Sequence, residues 1–428
     1  MRKTLVIGSG GREHAIAWAL RKTSTEGVDV FCAPGNAGIA QDAHLVNISV
    51  DQHEQLAAFV QSEEIDLTFV GPEAPLTAGL VDLFEVKGLP IVGPGRSTAR
   101  LEGSKIFAKE FMARHLIPTA SFRTAESPAE AIAHLRSGAF GSVESSVVIK
   151  ADGLAAGKGV VVAASRAEAE KAVADLMVHH AAGKEAARRV VIEEALVGRE
   201  ASVLLFADGR DYALMPAARD HKRIGENDTG PNTGGMGSIT DASVLDASVL
   251  QRVVSEIVEP TLAGAQQEGF PFKGVLFLGL MLTSAGPKLL EYNVRFGDPE
   301  TQAILVRLKT DLFSIFDAMR RGALGELKVE WSGGASACVV AANRGYPGSY
   351  EKGAEIEGLE AVADDRVQVF HAGTARAPNG KFIATGGRVL GVTAAAEDLP
   401  TALGLCYDSL GRINWPGRQF RRDIGRAK

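Results

Sequence analysis

The chain of 428 residues predicts a mixed multidomain protein: an N-terminal α/β domain on a parallel sheet, a two-lobed α+β domain, and a small strand-rich C-terminal domain. Three observations carry this reading. Up to Gly103, apolar β-rich runs alternate with helix-periodic runs, as in a parallel sheet covered on both faces. Beyond it, hairpin-like strand pairs and helices replace the alternation. From Ala335 onward, short strands are separated by Gly and Pro turns. The length also exceeds what one compact core holds.

Thr4 to Gly8 is a strand ended by glycine, and His14 to Lys22 then spaces Ala, Ile, Trp and Leu as one helix face. Val28 to Ala33, Leu56 to Gln61, Leu67 to Gly71, Leu80 to Lys87 and Pro90 to Gly93 continue as strand, helix, strand, helix and strand. Helices at Lys105 to Arg114 and Pro128 to Arg136 precede a hairpin, Val147 to Lys150 and Val160 to Ala163, with a long glycine-rich tip. A helix at Ala167 to His179 leads to strands at Arg189 to Glu194, Ser202 to Phe206, Leu276 to Thr283 and Lys288 to Asn293. The expected domains are 1–102, 103–325 with a hinged small lobe at about 120–190, and 326–428.

Lys plus Arg number 46 against 52 Asp plus Glu, a net charge of -6, so nothing draws the whole surface toward nucleic acid or an anionic membrane. An anionic ligand must be held locally. The three cysteines, Cys32, Cys338 and Cys406, are too scattered for a zinc pattern and suit a reducing cytoplasm. The N-terminus runs straight into TLVIG and no apolar run has membrane-spanning length, so a soluble, cytoplasmic protein is expected.

Four segments carry candidate chemistry. Gly8-Ser9-Gly10-Gly11-Arg12-Glu13-His14 joins a strand to a helix whose free N–H groups suit an anion, but Glu13 stands where a dinucleotide fingerprint needs glycine. The loops Pro34 to Gly38 and Gly71 to Leu76 should leave the same sheet edge. Lys150 to Gly159 is a lysine-bearing tip able to close over phosphates, and it is not a Walker loop: Asp152 replaces its first glycine and Gly159 its Ser or Thr. In Glu291 to Gln302, strand alternation puts Glu291, Asn293 and Arg295 on one face, pairing hard oxygen donors suited to magnesium with a guanidinium suited to phosphoryl oxygen. A structural ion-pair network would use the same residues. Asp220-His221-Lys222-Arg223 and the glycine-rich Thr229 to Gly237 could bind and cover an anion, or be solvated surface.

Together these segments resemble the phosphoribosylamine–glycine ligase family of the ATP-grasp superfamily. The likeness runs from GSGGREHA through APGNAG, GPEAPL, LEGSK, VIKADGLAAGKGV, VIEE, DHKR, TGPNTGGMG and EYNVRFGDPETQ to FHAGT, GGRVL and RRDIG. The resemblance implies ATP held between two sheets, with Lys105 and Lys150 near its phosphates. Gly153, Leu154, Ala155, Ala156, Gly157, Lys158 and Gly159 would cover them. It places Glu193, Glu194, Ala195 and Leu196 by adenine, Glu200 by ribose, and a magnesium or manganese ion on Glu291 and Asn293. Gly10, Gly11, Asn36, Gly38 and Glu73 would hold phosphoribosylamine, while Asp220, Lys222 and Arg295 would lie by the reacting groups. Arg295, Lys158 and Asp220 are the implied catalytic residues. Two departures stand out: Ser9 occupies a position where the family often has Asn, and Val275 to Leu282 lacks the acid other ATP-grasp enzymes use as a metal ligand.

The implied reaction joins glycine to 5-phosphoribosylamine at the expense of ATP, through glycyl phosphate, in a monomer or weak homo-oligomer. Another carboxylate–amine ligase or a purine-pathway carboxylase of the superfamily is the alternative.

Overall fold

The computed structural model describes residues 1–155, 159–181, 183 and 186–426. At its N-terminal end five parallel strands lie in the spatial order His44–Leu45, Val28–Pro34, Arg2–Gly8, Leu67–Val70, Ile91–Val92. The central strand is buried from Thr4 to Gly8, because helices cover both faces. Its register pairs Gly8 with Pro34 and Ile7 with Val70, so the three glycine-bearing loops leave one carboxyl edge, as the alternation predicted. The first helix begins at Gly11, earlier than its apolar periodicity, because Glu13 turns back to accept the Gly10 N–H at 2.6 Å.

The small lobe is a four-stranded antiparallel sheet, Phe122–Ala125, Val190–Glu194, Val147–Ala151 and Val160–Ala163, under the helices Pro128–Arg136 and Arg166–Val173. Ala131, Leu135, Ile149, Val173 and Ile192 give it a core of its own.

Of the strands beyond Ala335, Ala354–Glu355, Phe382–Ala384 and Thr374–Arg376 form a small antiparallel sheet of their own, while the longer ones join the sheet of the central part. A ten-stranded sheet runs Gly286–Asn293, Lys273–Thr283, Arg199–Asp208, Ala218–Asp220, Gly237–Thr240, Ala335–Asn343, Arg388–Ala396, Val367–His371, with two short strands branching from it. Gly237–Thr240 and Ala335–Asn343 are buried along their whole length and pair antiparallel, Ser238 opposite Cys338. A fully buried strand needs partners on both sides, so two segments far apart in sequence share one ladder. Among the described residues no helix is long and apolar enough to cross a membrane.

His221 fastens the chain terminus to this sheet. Its Nδ1 donates to the Gly237 carbonyl at 3.2 Å and its Nε2 accepts the Gly425 N–H at 3.1 Å, which fixes a neutral ring. Burial, aided by Arg219 and Arg421, pushes its pKa from 6.5 down to about 4. The unfolded chain therefore takes up this proton first, and the stabilisation, complete above pH 6.5, is lost as pH falls toward 4. The expected loss is about 3 kcal/mol by pH 4. Urea midpoints across this range should fall less steeply for His221→Asn than for the parent, and an identical slope would remove His221 from the acid response.

Candidate active site

On the strand Gly286–Asn293, Tyr292 points inward, its hydroxyl 2.8 Å from Thr261, which turns Glu291 and Asn293 to the opposite face. Burial raises the Glu291 pKa, but Lys222, Lys150, Lys105 and Arg295 together bring it below the usual carboxylate range. The chain brings four cations around one carboxylate. A carboxylate and an amide oxygen on one strand face fit a magnesium- or manganese-type ion whose other ligands are phosphate oxygens and water. Among the described residues there is no cluster of three or more His, Cys, Asp or Glu that would make a fully protein-built cage.

Arg295 joins this strand to the N-terminal sheet. Its Nη2 lies 2.9 Å from Glu102 Oε1 and 3.2 Å from Asn293 Oδ1, and its Nε 3.3 Å from Glu73 Oε2. Glu102 accepts the Val294 N–H at 2.7 Å, and burial followed by the nearby Glu73 raises its pKa. Gly11 packs against the Gln302 amide, which a Cβ would approach to 2.8 Å, and a Cβ on Gly10 would lie 3.6 Å from Asp298. Two of the first-domain loops therefore meet the segment after Asn293.

The glycine loop itself is partly occupied. Glu13 fills it, so the Gly10 N–H is already paired, and Arg12 bridges Glu13 and the Phe296 carbonyl at 2.6 and 3.1 Å. Asn36 is likewise engaged: its Nδ2 donates to the Ser9 and His371 carbonyls, both at 2.9 Å, and its Oδ1 accepts the Gly38 and Ile39 N–H groups. Gly38 is needed where a Cβ would come within 2.0 Å of the His371 ring. In this arrangement Asn36 and Gly38 shape the loop, and Gly11 and Glu73 are the groups nearer the Arg295 cluster.

Across the cleft, Ser104 caps the helix that starts at Lys105, and Asp152 accepts from Ser104 Oγ at 2.7 Å and the Ile106 N–H at 2.9 Å. This ties the hairpin tip to Lys105. The Ala151 N–H to Gly159 carbonyl bond, 2.7 Å, and the Gly153 N–H to Ala186 carbonyl bond, 3.1 Å, brace the base of the tip, where Leu154 and Ala155 follow. Ala156, Gly157 and Lys158 lie outside the described residues. Lys150 pairs with Glu193 at 3.0 Å; that carboxylate is buried, so the half-buried Glu194, Ala195 and Leu196 are what this strand end opens to the cleft. Glu194 accepts the Ser121 N–H at 2.9 Å and pairs with Lys288 at 3.2 Å.

Glu200 and Lys222 pair at 2.8 Å on the third side. Asp220 has one buried oxygen, Oδ1, without a hydrogen bond, and burial together with Glu300 raises its pKa well above the ordinary value. Gly235, at φ +110°, passes so close that a Cβ would sit 2.7 Å from Asp220 Oδ1. Arg388 secures that turn, donating to the Gly234 and Asp298 carbonyls at 2.6 and 2.8 Å and pairing with the Asp298 carboxylate at 3.0 Å.

Sequence reasoning did not single out Glu102, Lys109, Asp298, Glu300 or Arg388. All but Lys109 lie inside segments that drew attention, and Lys109 stands one helical turn after Lys105, a spacing that places both on one face. A cavity of about 720 Å³ lies apart from this cleft, between the first helix and the C-terminal strands, lined by His14, Trp18, Asp42, His371 and Phe382.

Two antiparallel sheets that present lysines and hard oxygen donors to each other across a cleft define the ATP-grasp class of proteins. The chain belongs to the phosphoribosylglycinamide synthetase family, whose N domain matches residues 2–102, ATP-grasp (A) domain 103–301 and C domain 336–427. It is 46% identical over 422 residues to a phosphoribosylamine–glycine ligase of Caldanaerobacter subterraneus subsp. tengcongensis, covering 99% of each chain. The crystal structure of phosphoribosylamine–glycine ligase from Thermotoga maritima superposes with a TM-score of 0.84 at 35% identity, covering 98% of this chain and 99% of that one. The ADP complex of an N5-carboxyaminoimidazole ribonucleotide synthetase shares the fold at 16% identity, with a TM-score of 0.65 and 96% of each chain covered.

Replacing Glu102 by Gln removes the charge that balances Arg295 while keeping the Val294 contact in reach. Breaking a buried pair of this kind costs about 3 kcal/mol of stability, so the melting temperature is expected to fall, and kcat/KM to fall with it as Arg295 loses its placement. Steady-state kinetics with a melting curve on the same sample checks this, and parent-like kcat/KM would show that Arg295 is held well enough by Glu73 and Asn293.

Proposed function

We propose that this chain ligates glycine to 5-phosphoribosylamine with ATP, giving glycinamide ribonucleotide, ADP and phosphate in purine synthesis. The carrying observation is the convergence of Lys105, Lys150, Lys222 and Arg295 on Glu291, where the N-terminal loops meet the ATP-grasp cleft. That concentration of positive charge suits a triphosphate and a carboxylate brought together. Membership of the phosphoribosylglycinamide synthetase family supports the choice of substrates.

In this reading Lys105 and Lys150 balance the phosphates, and the tip Gly153 to Gly159, with Lys158, covers them. Backbone groups of Glu193 to Leu196 face adenine, and Glu200 faces ribose. Glu291 and Asn293 hold a divalent ion, which when bound would neutralise phosphate charge. Arg295, Lys222 and Asp220 orient glycine, and Gly10, Gly11, Glu73 and the Asn36–Gly38 loop cradle the ribosylamine. The working domains are 1–102, 103–325 with its small lobe, and 326–428, in a cytoplasmic protein that is a monomer or weak homo-oligomer.

A glycine carboxylate oxygen forms a bond to the γ-phosphorus as the bond to ADP breaks. The ribosylamine nitrogen then attacks the glycyl phosphate carbonyl, phosphate leaves with that oxygen, and the nitrogen gives up a proton. Positioning and charge neutralisation are the protein's part. No thiol serves as nucleophile among the described residues: Cys32, Cys338 and Cys406 are buried, and burial raises all three pKa values, that of Cys338 to about 12.

Glycine labelled with heavy oxygen in its carboxylate tests the route. Incubated with ATP, magnesium and phosphoribosylamine, it should deliver label to inorganic phosphate, read by mass spectrometry. Label in AMP, or unlabelled phosphate during confirmed product formation, would overturn it.

The ion assignment has its own check. Glu291→Ala and Asn293→Ala should each cut turnover at least about 100-fold in a chain that still folds, and the double variant should lose little more activity, since both serve one ion. Additive losses would separate the two residues.

A further inference from the structure

Lys109, Glu193 and Lys150 form a buried chain of charge, with side-chain exposures of 2%, 2% and 8%. Each lysine takes one oxygen of the carboxylate: Lys150 Nζ lies 3.0 Å from Oε2, and Lys109 Nζ 3.2 Å from Oε1. The remaining contacts run to Thr119 and to the strand Gly286–Asn293. Lys109 donates to Thr119 Oγ1 at 2.6 Å, the Thr119 hydroxyl donates in turn to the Leu289 carbonyl at 2.6 Å, and Lys150 donates to the Leu290 carbonyl at 3.2 Å. Glu193 Oε1 is buried without a well-directed hydrogen bond, so its charge is answered chiefly by the Lys109 ammonium.

Two cations share the one carboxylate that pairs with them directly, with Glu291 the next anion, and holding both lysines charged where water hardly reaches costs several kcal/mol unless further negative charge offsets it. A triphosphate at Lys150 would do so. With Lys109 present, Glu193 is neutralised from behind and Lys150 keeps an unspent charge. Without it, the whole carboxylate would bind Lys150 and hold it away from a phosphate. We infer that Lys109 is a positioning residue for ATP, acting through Glu193 on Lys150. This rests on the reading of Lys150 as a phosphate-binding lysine.

The test is a set of ATP affinities, measured by calorimetry with magnesium on the full chain, for the parent, Lys109→Met, Glu193→Gln, the double variant and Lys150→Met. Lys109→Met should bind ATP about tenfold more weakly, Lys109→Arg should recover part of the loss, and the double variant should bind no worse than Glu193→Gln alone. A merely structural lysine would give additive losses in the double variant and no recovery in Lys109→Arg, and either result overturns the inference. If Lys150→Met weakens binding while Lys109→Met does not, this inference alone fails. If Lys150→Met binds ATP like the parent, the reading of the site fails and the inference with it.

Discussion

The Arg295 guanidinium is shared among acceptors from three distant stretches of chain: Glu73 at the edge of the parallel sheet, Glu102 just before the Lys105 helix, and Asn293 at the end of the strand that carries Glu291. A planar cation with five donors can satisfy all three at fixed angles, which an ammonium could not. Removing it would leave Glu102 buried beside Glu73 with like charges facing each other. The relative placement of the N-terminal loops and the cleft thus depends on one ion cluster, and the same cluster supplies part of the field at Glu291.

Burial gives these charges their effect. In water an ion pair contributes little, but here Lys109, Glu193, Lys150 and Glu102 are all nearly inaccessible, so each carboxylate must be matched by a specific cation. The same exclusion of water that makes the pairs costly to break makes the uncompensated cations effective toward phosphate. By contrast, the Glu200–Lys222 pair is about half exposed, so water screens its attraction.

The ten-stranded sheet gives the cleft its rigid side. Because Gly237–Thr240 is sandwiched between Ala218–Asp220 and Ala335–Asn343, the loop that precedes it is anchored from the C-terminal strands, and Arg388 reaches from one of them to fix Gly234 and Asp298. The C-terminal part of the chain therefore shapes one wall of the cleft.

Much of this was legible in the residue order, because local rules act over a few positions. The period of apolar residues gave the parallel sheet and its loops at one edge, strand alternation put Glu291 with Asn293, and Glu13 marked the first loop as unlike a dinucleotide site. What remained hidden depended on contacts far apart in sequence. Asn36 reads as a ligand in its loop, yet the fold uses its amide to join Ser9 and His371; Glu193 reads as a cleft residue, yet its carboxylate lies between Lys109 and Lys150. Nor does the order of residues reveal that strands near 238 and 338 share a ladder. Side-chain chemistry and spacing determined which groups this protein could use; only packing decided which are spent on holding the fold, because a buried charge or amide must find its partner wherever the chain happens to bring one.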